Sequence, residues 1–217
     1  MVDDINEFFR DLNKDIIYAG TAGGKKKEDA FFEIYTDELI DAGEITTADY
    51  CPYSGRSGRS TVRVDGYGGD PIESQDRTLT LIINDYSDSQ EIETMDTARL
   101  AQFLANLNRF LLSVPSGRYK KDLDPHSQIY ELMDLIDARW DDIQKIRMLL
   151  ITNRVFSDRA NLENAIDRIE GGQLEGKDLA YTARDLSWLQ KKIEGGSAPV
   201  EMTVDLVNDF GGAIPCM

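Results

Sequence analysis

The chain has 217 residues, 41% hydrophobic and 29% charged, enough to bury a core of ordinary globular size. No apolar run approaches the roughly 20 residues of a membrane-spanning helix, and the acidic start Met1-Val2-Asp3-Asp4 lacks the basic opening of a signal peptide; a cytoplasmic protein with no membrane partner is expected. The formal charge of −16 opposes broad nucleic-acid binding, because phosphates would meet a repulsive field.

Helical spacing of Ile5, Phe8, Phe9, Leu12 and Ile16 predicts a first helix from Asp4 to Ala19, broken by the Gly- and Lys-rich stretch Gly20–Lys27. A second helix opens on the acidic pair Glu28-Asp29, carries Phe31, Ile34, Tyr35 and Leu39, and stops at Gly43. Three strands are expected next: Ile45–Tyr53, Ser60–Tyr67 and Thr78–Tyr86. The third is apolar on both faces, as a buried central strand must be. Asp96 or Thr97 caps a helix bearing Leu100, Phe103, Leu104, Leu107, Phe110 and Leu111, which Pro115-Ser116-Gly117 stops. Asp124, with Pro125 at the first helical position, opens another helix carrying Ile129, Leu132, Met133, Ile136 and Trp140. A fourth core strand follows at Lys145–Thr152. Beyond it come a helix at Asp158–Glu170, a strand at Leu179–Arg184, a helix at Asp185–Glu194 and a strand at Val200–Leu206. Strands and helices interleave without a linker, so 1–217 reads as one domain: core about 28–152, N-terminal helix 4–19, C-terminal extension 153–217.

Several chemistries find no support. Cys51 and Cys216 match no disulfide framework or metal-ligand spacing and read as reduced thiols. The single histidine, His126, sits at a helix start, and a histidine-based catalytic pair cannot be built from it. Gly55-Arg56-Ser57-Gly58 is not a P-loop. Trp140 and Trp188 lie on apolar helical faces and belong to the core. Basic residues cluster at Lys25-Lys26-Lys27, at Arg56, Arg59 and Arg63, and at Arg118, Lys120 and Lys121; each cluster alone reads as a solvated loop. Nucleic acid becomes a candidate partner only if two clusters meet on one face.

The order helix, three strands, helices, strand from Glu28 to Thr152 resembles the core of restriction-endonuclease-like nucleases of the PD-(D/E)xK type. Such enzymes hold a divalent ion, usually Mg2+, between carboxylates on the second and third strands, often joined by a glutamate from the preceding helix. The residues in those places are Glu33, Asp65 and Asp85, expected as catalytic residues, with Asp65 and Asp85 as the metal ligands. The lysine of the motif is missing. If Asn84 fills the acidic slot, Tyr86 stands where lysine should; if Asp85 is the acid, Ser87 does. A structural reading, with Asp65 at the Gly66 turn and Asp85 opening a polar loop, competes, and the motif alone favours it slightly.

Ala30-Phe31-Phe32-Glu33-Ile34-Tyr35 with Glu38-Leu39 and Ala42-Gly43-Glu44, Val64-Asp65-Gly66-Tyr67, Leu79–Tyr86, Lys145-Ile146-Arg147 with Leu149–Thr152, and Asp185-Leu186 together resemble the N-terminal region of AIPR proteins, the abortive infection phage resistance family. The resemblance implies a role in bacterial defence against phage and a mixed α/β, restriction-endonuclease-like fold with extra strand, helix and strand at its C-terminal end. It also implies a longer parent protein, of which this chain is a fragment, with its C-terminal domain or another defence component as partner. Two expectations follow: a metal-dependent endonuclease with a degenerate motif, or an inactive nuclease fold used as an interaction or assembly module.

Overall fold

A computed structural model describes residues 2–74, 76–115, 117, 119–169 and 176–197. The described elements are α1 (Val2–Gly23), α2 (Lys27–Asp41), β1 (Asp49–Ser57), β2 (Ser60–Tyr67), β3 (Thr78–Asp85), β4 (Thr94–Met95), α3 (Thr97–Ser113), α4 (Gln128–Arg139), β5 (Lys145–Thr152), β6 (Val155–Phe156), α5 (Leu162–Ile166), β7 (Asp178–Arg184) and α6 (Leu186–Ser197), with a single 3-10 turn at Lys120–Asp122.

Five strands form one mixed sheet in the order β1-β2-β3-β5-β7. The first three are antiparallel neighbours, and β5 and β7 run parallel to β3. The adjacency expected for the first three strands, and the placing of Lys145–Thr152 beside them, are both found. β3 and β5 are buried almost throughout because helices cover both faces. Val62, Val64, Leu79, Leu81, Ile83, Ile146, Met148 and Leu150 pack with α3 and α4. Ile82, Leu149 and Ile151 pack with α1, α2 and α6 on the other side. Each of these aliphatic side chains contributes about 1.5–3 kcal/mol by leaving water.

Helix α2 lies close over β2, and Gly66 permits the approach. A Cβ there would stand 2.4 Å from the Phe32 ring and 2.6 Å from the Asp49 carbonyl oxygen. β1 compensates with a bulge between Tyr50 and Tyr53, at Pro52, a residue that cannot donate to a ladder.

Some boundaries depart from expectation. Helix α1 runs through Gly20 and ends only at Gly23, and the positive φ of 62° at Gly24 makes the turn that follows. β1 begins at Asp49 rather than Ile45 and continues to Ser57, because residues 45–48 carry the chain from the Gly43 turn to the sheet edge. The helix expected from Pro125 begins at Gln128. Asp124 instead accepts hydrogen bonds from the amides of His126 and Ser127 in a turn, and the Ser127 hydroxyl caps the helix. The helix expected over Asp158–Glu170 is the single stretch Leu162–Ile166, opened by Asn161 accepting from the Asn164 amide. Cys216 and the strand expected at Val200–Leu206 lie outside the described residues; Cys51 is a buried free thiol, its pKa pushed up to about 12 by burial. No helix among the described residues is long and apolar enough to cross a membrane.

Candidate functional site

The site is built where β2 and β3 part. Their ladder holds Gly66 against Ile82 and Tyr67 against Leu81, and no further pair is formed toward Val64 and Asn84. Side chains of β2 occupy the gap. The Asp65 carboxylate accepts from the Asn84 backbone N–H at 2.7 Å, and Arg63 Nη2 donates to the Asn84 carbonyl at 2.9 Å. Asp65 and Arg63 therefore give Asn84 the donor and acceptor that a neighbouring strand would otherwise supply. Arg63 Nε also donates to Asp65 Oδ1 at 3.0 Å, and Arg63 Nη2 reaches Glu28 at the start of α2 at 2.9 Å. The Asn84 amide nitrogen donates to the Glu28 carbonyl, while its Oδ1 is buried without a partner. Asp65 is 3% exposed. Burial pushes its pKa up to about 6, against the lowering effect of Arg63 and the Asn84 amide. An open cleft of about 440 Å3 adjoins this group, lined by Lys26, Glu28, Asp29, Tyr50, Arg63 and Asp65 among others.

Asp85, at the end of β3, belongs to a second cluster. Arg99, from the first turn of α3, donates Nε to Oδ2 at 3.0 Å and Nη2 to Oδ1 at 2.9 Å, a bidentate pair. Arg154, just past β5, donates Nε to Asp85 Oδ2 at 2.9 Å and also binds Glu93. Glu93 in turn accepts from the Ser87 hydroxyl. The parallel register, which sets Asp85 beside Thr152, brings Arg154 to this place, and the Thr152 hydroxyl donates to the Asp85 carbonyl.

The two clusters meet at Phe103 on α3. Arg63 lies over its ring at 5.7 Å from the centroid and Arg99 at 5.5 Å. Asp65 on β2 and Asp85 at the end of β3 thus stand in adjoining clusters, the first held by Arg63 and the second by Arg99 and Arg154. Glu33 does not join them: it is exposed and paired with Lys25 at 2.6 Å. The helix acid that does reach the site is Glu28.

A divalent cation needs carboxylate oxygens free to face it. Both oxygens of Asp65 and both of Asp85 already accept from guanidinium or amide N–H groups. Among the described residues, no group of three or more His, Cys, Asp or Glu side chains is placed to hold a metal ion. The donor set does not fit Mg2+. Neither residue at the missing lysine supplies a cation: Tyr86 packs against Phe31 with centroids 5.4 Å apart, and Ser87 binds Glu93.

Sequence reasoning passed over Arg99, Arg154, Glu28 and Phe103. Arg154 carried a signal, since a parallel partner for β3 puts the residues after Thr152 beside those after Asp85. Arg99 and Phe103 were visible only as members of an amphipathic helix.

No curated protein and no solved structure matches the chain. One family model does, that of the abortive infection phage resistance protein N-terminal domain, over residues 31–191, a span holding every residue of both clusters except Glu28; the chain belongs to that family.

Proposed function

We propose that this chain serves bacterial anti-phage defence by abortive infection as a binding and assembly module, built on a nuclease-like sheet whose acidic positions are closed by arginine. The observation that carries this reading is the pairing of Asp65 with Arg63 and of Asp85 with Arg99 and Arg154. A buried carboxylate held by two guanidiniums is a structural link between elements, here β3, α3 and the end of β5, and offers nothing to a metal or a water nucleophile. Its partner on this reading is the remainder of a longer parent protein or another defence component, in the cytoplasm.

One observation favours a second reading, a metal-dependent endonuclease acting on nucleic acid with Mg2+. Where β2 and β3 part, Asp65 lines an open cleft with Glu28 of the preceding helix, and Asp85 stands at the end of the neighbouring strand. Thermal unfolding across a Mg2+ and Mn2+ series, with cleavage assays on DNA and RNA, separates the two. The assembly reading expects a melting temperature independent of either ion and no cleavage. A metal-dependent rise that Asp65→Ala abolishes, together with Asp65-dependent cleavage, would establish the nuclease instead.

A further inference from the structure

At the opposite end of the sheet, Lys145 and Arg147 alternate along the start of β5 and line one cleft of about 570 Å3 with Glu44, Thr46, Thr78 and Thr80. That volume is typical of small-ligand sites. Arg147 is half-buried, and its fixed contacts are neutral: Nε donates to the Thr80 hydroxyl at 3.2 Å and Nη2 to the Glu44 carbonyl. Its remaining terminal nitrogen has no partner among the described residues. The carboxylate of Glu44 is engaged by Arg184 from β7, whose Nη2 and Nε donate to Oε1 at 2.9 and 3.1 Å and whose Nε lies 3.3 Å from Oε2. Two guanidiniums therefore share the one carboxylate in the partly buried part of the cleft, and Glu73 and Asp76 bring the formal balance against Lys145, Arg147 and Arg184 to zero. Burial lowers the Arg147 pKa, and Arg184 adds to this, against the raising effect of Glu44 and Asp76. Lys145 forms no ion pair among the described residues; Asp76, whose pKa is lowered chiefly by the Thr78 side chain, feels Lys145 as a weaker lowering influence. Asp76 and Glu73, the other acids of the lining, are exposed and solvated.

A half-buried guanidinium with free donors and no carboxylate of its own is stabilised by an oxyanion. We propose that this cleft binds a small oxyanion-bearing molecule, a phosphate ester or a carboxylate, with Arg147 as its anchor and Lys145 as its second cation. The hydroxyls of Thr46 and Thr78 and the carboxylates at the rim suit a ligand whose remaining body carries hydroxyl or amine donors. The site is separate from the arginine–carboxylate clusters and does not depend on how they are read.

Thermal unfolding and isothermal titration with inorganic phosphate, adenosine monophosphate and succinate, each against chloride at matched ionic strength, test the assignment. The expected result is a saturable rise in melting temperature with at least one probe at millimolar concentration or below. Phosphate or the nucleotide acting without succinate identifies a phosphate ester, and succinate alone a carboxylate. Arg147→Met should lose the response, and Lys145→Gln, altering a side chain without an ion pair, should weaken binding at least several-fold. If Arg147→Met does not fold, Lys145→Gln decides. No response beyond chloride, or an undiminished response in the deciding variant, overturns the assignment.

Discussion

Arg147 near the start of β5 and Arg154 just past its end occupy opposite surroundings on one strand. Arg154 is buried and meets Asp85 and Glu93, while Arg147 is half-buried and meets a threonine hydroxyl and a peptide carbonyl. The same side chain is a structural rivet where carboxylates enclose it and a candidate ligand anchor where only neutral acceptors do. At the C-terminal ends of β3 and β5 the arginines are fixed by carboxylates, whereas near the start of β5 Arg147 is fixed by neutral acceptors.

The largest effect that sharpens this contrast is expected from Asp85→Ala. It strips Arg99 of its bidentate partner and leaves buried Arg154 with Glu93 alone, so chemical denaturation should show a loss of about 4 kcal/mol, in the range for breaking a buried pair from one side. A loss under about 1 kcal/mol would mean that the cluster is solvated and the contrast between the two ends is false.

A smaller effect comes from Asp65 and depends on pH. Its folded-state pKa, about 6, is above the ordinary 3.8, so the folded chain holds that proton more tightly than the unfolded chain does. The resulting stability is fully present below about pH 3.8 and is lost as pH rises through about 6. Relative to Asp65→Asn, the wild type should therefore lose about 2 kcal/mol between pH 4 and pH 7. A difference that does not change with pH would show that Arg63 and the Asn84 amide offset the burial entirely.

The smallest effect is expected at Glu33. Its bond to Lys25 is exposed on both sides, and Glu33→Ala should change stability by less than about 1 kcal/mol at any pH from 5 to 8. A loss as large as that of Asp85→Ala would restore Glu33 to the site.

What could be read from the sequence follows from how locally each feature is written. β2, β3 and β5 were legible because alternation and unbroken apolar runs leave strands few other options, and the pairing of Arg63 with Asp65 follows from their spacing along one strand. The failure at Glu33 was one of helical phase: periodicity locates the α2 face but not where along the helix β2 passes, and Glu28, more than one turn earlier, is the acid in reach. The arginines that close Asp85 come from α3 and from beyond β5, so their meeting depends on a parallel register that no local signal states. The parting of β2 from β3 was invisible for the same reason, since Val64 and Asn84 are ordinary strand residues by type. α4 began late because Asp124 and Pro125 equally suit a turn, and Ser127 was the better cap.

Asp65 and Arg63 stand in for a stretch of missing ladder by answering the Asn84 peptide group with side-chain atoms. Main-chain pairing tolerates nearly any residue, because every residue carries the same N–H and C=O. Here the joint between two strands is spelled in particular amino acids, so mutation can reach it. Positions 63 and 65 are consequently coupled: a substitution at either removes a donor or an acceptor from the Asn84 peptide group and changes what the other side chain must satisfy.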